Sequence, residues 1–177
     1  MSLHVRAAPK SDWPWLVDRT GCALTSDFNA IEAIQLLPGY PEERDAYRVR
    51  GMVGYCNTTR TAVQLHMAVD APCVWRALLG PALRYPFLQA QKRICLGVIP
   101  ASNPRSLRFA QHVGFRETYR IADGWDEGCD LVFLELRREE CRYLELPSAG
   151  VAPARRAKNR GRFRPTGRRE SLHTGVA

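Results

Sequence analysis

The sequence predicts one α/β (α+β) domain, a mixed sheet with helices on both faces, and three observations carry that prediction. Ile94 to Ile99 (ICLGVI) is a nearly unbroken apolar run, as a strand buried on both faces requires. Asn103-Pro104 then opens a helix in which Leu107, Ala110 and Val113 recur at helical spacing, and Gly114 closes it. Ala62 to Asp70 alternates cleanly, with Val63, Leu65, Met67 and Val69 on one side and Gln64, His66, Ala68 and Asp70 on the other.

The remaining elements follow in order. His4 to Ala8 reads as a first strand ended by Pro9, and Ser11 or Asp12 caps a helix that Gly21 ends. Phe28 to Gln35 is a second strand and Val49 to Asn57 a third. Between them, LLPGYPEERDAY reads as a loop. After the alternating strand, CVWRALLGPALRYPFLQAQ has helical spacing but contains Gly80-Pro81 and Pro86. Each proline removes an i→i−4 bond, which predicts a kinked helix or two short ones. The chain then gives the strand at 94–99, the helix at 104–113 and strands at 115–121 and 131–137. The order is β-α-β-β-β-α-β-α-β-β.

A length of 177 residues suits one domain with a real core, and 45% hydrophobic with 25% charged residues is ordinary for a soluble globular protein. No apolar run approaches the ~20 residues a bilayer span needs, and the N-terminus shows no signal-peptide core. A cytoplasmic protein is expected. Six cysteines without a C-x-x-C pair read as reduced thiols, with Cys56 and Cys95 as small core residues, and no metal site is expected. The net charge of +8 is uneven. Residues 151–177 hold eight Arg and Lys against Glu170 alone, a balance of +7 that leaves about +1 for the rest. Residues 1–146 therefore form the predicted domain. Residues 147–177 read as a basic disordered tail, either a solvated extension or an anchor for nucleic acid or another anionic partner.

The unit strand–Asn103–helix–Gly114-Phe115–strand resembles the C-terminal half of GNAT-fold (GCN5-related) N-acetyltransferases. Asn103, Ser106, Gly114 and Phe115 match the family spacing. The stretch DGWDEGCDLVFLELRREECRYL is similar to the closing strand of the ribosomal-protein acetyltransferase subgroup, and similar reading frames occur among phage and prophage genes. The resemblance spans roughly residues 3–144. It implies a mostly antiparallel sheet with a splayed fourth and fifth strand, and acetyl-CoA as co-substrate. It also implies an amine on a protein or small molecule as acceptor, in a bacterial or phage-infected cell.

By that resemblance, the backbone around Met67, Ala68 and Val69 holds the acyl oxygen and the pantetheine arm, a contribution of oxyanion-hole type. Asn103 and Ser106 lie near the same arm; for Asn103, simple helix capping is the other reading. Two departures stand out. The family's Gly-rich phosphate loop is replaced by VDAPCVWRALL, leaving the helix start from Cys73 to Arg76 as the anion site. The family's tyrosine acid is Ala110 here, which leaves Tyr119 as the candidate acid. His66 is the candidate general base, being titratable near neutrality on the strand at the acyl site; a His packed under a helix is the alternative. A His66–Asp70 dyad fails because four residues of strand span roughly 13 Å. Glu32 is a second candidate base acting through water. Trp13 and Trp15 either line a substrate mouth or pack the first helix, and the acidic run Asp123, Asp126, Glu127 and Asp130 either attracts a cationic amine or is an exposed turn.

Three functions compete on this sequence. They are an acetyl-CoA-dependent N-acyltransferase, a phage-type nucleic-acid-modifying relative using the basic tail, and a non-catalytic binding protein on the same scaffold.

Overall fold

A computed structural model describes residues 3–37 and 47–144. Part of the predicted 36–47 loop and the basic segment 147–177 lie outside the described residues. Seven strands make one sheet: β1 (His4–Ala7), β2 (Asn29–Leu36), β3 (Tyr47–Cys56), β4 (Ala62–Val69), β5 (Ile94–Pro100), β6 (Arg116–Asp126) and β7 (Cys129–Arg137). Their spatial order is β1-β2-β3-β4-β5-β7-β6, and every neighbouring pair is antiparallel except β4 with β5. Among the described residues three α-helices cover it: α1 (Trp13–Thr20), α2 (Trp75–Arg84) and α3 (Pro104–Val113).

The period-two pattern of the strands sorts their side chains onto two packing faces. On one face α1 sets Leu16 against Ala30, Met52 and Cys56, with Phe28 beside it. On the other, Val74, Leu78, Ala82 and Leu83 of the α2 region and Ala110 and Val113 of α3 cover Val53, Tyr55, Val63, Leu65 and Cys95. Strand β3 is thus buried from both sides. Tyr55, 1% exposed, anchors it by donating its hydroxyl to the Ala82 carbonyl at 2.7 Å. Cys56 and Cys95 are buried core residues.

Two glycines let the helices come that close. A Cβ at Gly54 would lie 2.6 Å from the Phe28 ring and 2.7 Å from Leu16, on the α1 side. At Gly51 it would meet Val69 at 2.8 Å and Val74 at 3.0 Å, on the α2 side.

Two elements depart from expectation. Helix α2 follows a 3₁₀ turn (Pro72–Val74), runs through Gly80-Pro81 without ending, and passes into a π-helical segment, Tyr85–Gln89, that contains Pro86. Pro81 falls in the second turn, so it withholds one intrahelical donor, and the buried face of Leu78, Leu79, Ala82 and Leu83 holds the helix across that loss. Strand β6 continues beyond 121 to Asp126. The acidic run from Asp123 to Asp130 reads in sequence as an exposed turn, but here its start lies within the strand as a bulge, with Asp123 at φ 52°. The turn itself is Glu127-Gly128, where Gly128 takes φ 72°.

Replacing Gly54 with Ala should push α1 off the sheet, because Phe28 and Leu16 hold the space a methyl needs. The expected cost is about 1–3 kcal/mol, read as a lower urea midpoint with the denaturant slope unchanged.

Candidate active site

The sheet is split where β4 meets β5. The parallel ladder holds only Ala62↔Ile94, Val63↔Cys95 and Gln64↔Leu96, although β4 continues to Val69 and β5 to Pro100. On their other sides β4 pairs with β3 from Gln64 to Val69, and β5 pairs with β7 along its whole length. Beyond Gln64 and Leu96 the strands therefore part.

Ladder alternation then decides which backbone groups face the opening. Asp70 donates its N–H to the Arg50 carbonyl across β3–β4, so the even-numbered residues 66 and 68 also turn toward β3. Met67 and Val69 turn their N–H groups toward the gap. On β5, Ala101 donates to Asp130 and Arg138 donates to Arg93, which commits the odd residues of β5 to β7. Val98 faces the gap, and Pro100 has no N–H to offer.

A cavity of about 340 Å³ occupies this opening and passes through the plane of the sheet. Gln64 and His66, with Arg19 to Cys22 at the end of α1, line it on one face; Asn103, Ser106, Phe109 and Ala110 of the α3 region line it on the other. Gly97 to Pro100, Phe115 and Trp125 complete the wall.

His66 is half-buried and hydrogen-bonds to no described side chain. Burial holds its imidazole below the ordinary value of 6.5, because desolvation penalises the charged ring. Asp70 is not its partner: that carboxylate pairs with Arg50 and lies 4.0 Å from Arg48. Asn103 caps α3 by accepting the Ser106 N–H at 3.0 Å, and both residues line the cavity. The capping oxygen is used, while the amide nitrogen of Asn103 and the hydroxyl of Ser106 have no described hydrogen-bond partner.

The other sequence candidates lie elsewhere. Met67 lines the cavity, whereas Ala68 and Val69 do not. Cys73 and Arg76 are exposed and outside the cavity wall, and Val74 between them is fully buried. Trp75 stacks on Phe109 with ring centroids 4.4 Å apart, tying the start of α2 to α3 beside the slot. Tyr119, 66% exposed, sits on β6 near Phe133 and does not line the cavity.

Glu32 is fully buried and also outside the wall. Its Oε1 accepts from Arg6 Nε at 2.8 Å, while its Oε2 lacks a donor. Burial pushes its carboxyl up, and nearby Asp12 adds to the rise against the opposing pull of Arg6. Asp12 in turn accepts the Tyr47 hydroxyl at 2.5 Å.

Trp13 packs edge-on to Phe28 and donates to the Ala8 carbonyl at 3.2 Å, so it belongs to the α1 packing layer. The acidic hairpin holds its own turn. Asp123 accepts from Gly128 N–H, Asp126 from Glu127 N–H, and Asp130 pairs with Arg120 at 3.3 Å. Arg19, Gln64 and Trp125 were not singled out by sequence reading. Gln64 shares the strand face of His66 two residues on, a signal that was available; Arg19 and Trp125 reach the slot only through tertiary structure.

This topology, with its parted parallel pair, is the GNAT fold. Among solved structures the chain is similar to spermidine/spermine N-acetyltransferases of Vibrio cholerae. One, in complex with CoA and spermine, superposes with a TM-score of 0.60 at 12% identity, over 81% of this chain and 98% of that one. A second, with manganese ions, gives 0.58 at 12% identity over 76% and 92%. A third, dodecameric, gives 0.60 at 12% over 77% and 94%. No protein-family model matches the chain, and no curated protein matches it by sequence.

Because His66 folds in its neutral form, acidification draws protons to the unfolded chain instead. The stability His66 contributes is present above pH 6.5 and is lost as pH falls below it toward the depressed native value. A His66→Gln variant should show a flatter urea midpoint between pH 7 and 5 than the parent; equal slopes would remove His66 from the account.

Proposed function

We propose that the chain is an acyl-CoA-dependent N-acyltransferase, with acetyl as the acyl group and a primary amine as acceptor. The observation that carries this reading is the cavity that pierces the sheet between β4 and β5, giving two reactants access from opposite faces. The V. cholerae proteins of the same fold, described as N-acetyltransferases and seen with CoA, support it.

The residues fit the arm of the co-substrate better than its phosphates. Met67 N–H, the Asn103 amide and the Ser106 hydroxyl offer polar partners along the slot, and the Val69 N–H faces the gap beyond the cavity wall. Cys73 and Arg76 are left as the phosphate contacts, without a glycine cradle. Acetyl-CoA, when bound, supplies a thioester whose carbonyl carbon accepts an amine. On the chain's side, backbone N–H groups aimed into the gap stabilise the developing oxyanion irrespective of side-chain identity. His66 takes a proton from the bound ammonium, which frees the neutral amine to attack, and a lowered pKa keeps the ring neutral for that purpose. Tyr119 is the acid that sequence proposes, and it has to approach from outside the slot wall. Affinity to the ribosomal-protein-modifying subgroup, a phage setting and a nucleic-acid role for residues 151–177 rest on residue pattern alone.

A second reading, a GNAT-fold protein that binds without transferring, is favoured by the glycine-free start of α2, where Val74 is buried and Trp75 is stacked on Phe109. Acetyl-CoA separates the two. At 100 times its dissociation constant it should stabilise the protein by about 2.7 kcal/mol, seen as a rise in Tm. No rise at millimolar acetyl-CoA would favour the second reading. If turnover is found, His66→Ala should slow it by roughly 10²-fold or more, and an unchanged rate would dismiss His66 as the base.

A further inference from the structure

Resting on the transferase reading above, the charge of the slot points to the acceptor. Among the described residues, no Asp or Glu lines the cavity, and Arg19 is its one Arg or Lys. Arg19 is held in place by its own helix. Its guanidinium lies over the Trp15 ring at 3.9 Å, and its Nη1 donates to the Trp15 carbonyl at 2.9 Å. It pairs with no described carboxylate. A planar guanidinium fixed by stacking keeps its other N–H donors ready for a carboxylate with little further loss of freedom.

The same wall carries groups suited to an amine. Thr20, Gly21 and Cys22 lie at the carbonyl end of α1, which favours positive charge, and His66 stands on the neighbouring strand. Near the lining residue Trp125, Asp123 and Asp126 accept backbone N–H groups of the β6–β7 hairpin and Asp130 pairs with Arg120, while Asp70 is paired with Arg50; neither these nor Glu127 lines the cavity. A polycation would thus meet a guanidinium with no carboxylate to offset it, and like charges brought together select against such a ligand.

We infer that the acceptor is a small amine carrying a carboxylate, an amino acid, whose acid group binds Arg19 and whose amino group turns toward His66. The amine nitrogen bonds to the acyl carbon, the C–S bond breaks, and the proton the amine gives up balances the one the thiolate gains. The cavity, about 340 Å³ and shared with the acyl end of the co-substrate, suits an acceptor of that size.

The test uses the full-length protein and acetyl-CoA, following thiol release with free amino acids, their methyl esters and spermidine. Free amino acids should exceed both their esters and spermidine by at least tenfold in kcat/KM. Arg19→Glu should remove that preference mainly through KM, and Arg19→Lys should restore part of it. Esters or spermidine matching the free acids would overturn the inference, with no variant required. Acetyl-CoA raising Tm while no amino acid is acetylated would also overturn it and leave the transferase reading standing. No Tm rise and no turnover would remove that reading, and this inference with it.

Discussion

The ladder between β4 and β5 stops after three residue pairs, and the properties of the site follow from that stop. A backbone N–H that loses its strand partner must find another or stay hydrated, since an unmet buried donor costs as much as a lost hydrogen bond. The slot is therefore polar along its β4 edge although its strands are built from apolar residues. It stays open because each bordering strand is held from behind, β4 by β3 and β5 by β7. Strand β3 is in turn clamped by α1 and α2, whose close approach Gly54 and Gly51 permit.

The side chains around the opening divide by face. On the α3 side, Phe109 and Ala110 make an apolar floor with Asn103 and Ser106 at its rim. On the α1 side, Gln64, His66 and Arg19 make a polar wall. No carboxylate of the described residues lines the cavity, and three of them are paired elsewhere: Asp70 with Arg50, Glu32 with Arg6, and Asp130 with Arg120. The wall nearest the proposed base therefore carries positive and neutral groups.

Much of this was legible in the sequence where one element decides its own shape. The helix 104–113 matches its cap, proline and closing glycine, and β4 follows its alternation, because those signals are local. The π-helical end of α2 and the extension of β6 were not legible. In both, tertiary packing overrides a strong local breaker, Pro86 in one case and Asp123-Gly124 in the other. Arg19 was missed for a different reason: the end of α1 reaches the slot only once the sheet has brought residues 19–22 beside Gln64 and His66. The grip proposed for the slot is made by main-chain groups, which leave little trace in side-chain identity, and the fold itself is shared at 12% identity.

The two ends of the sheet bear on how the molecule behaves among copies of itself. Strand β1 is only four residues long, too short to template much pairing. Strand β6 is eleven residues, exposed throughout, and displays Tyr119, Ile121 and Trp125, the makings of a sticky border. It also carries Arg116, Glu117, Arg120, Asp123 and Asp126, and its register breaks twice. Charge and kinks of this kind spoil the straight, uncharged rail that an incoming strand would need, so the same bulges that shape the hairpin beside the slot also guard against fibrous stacking.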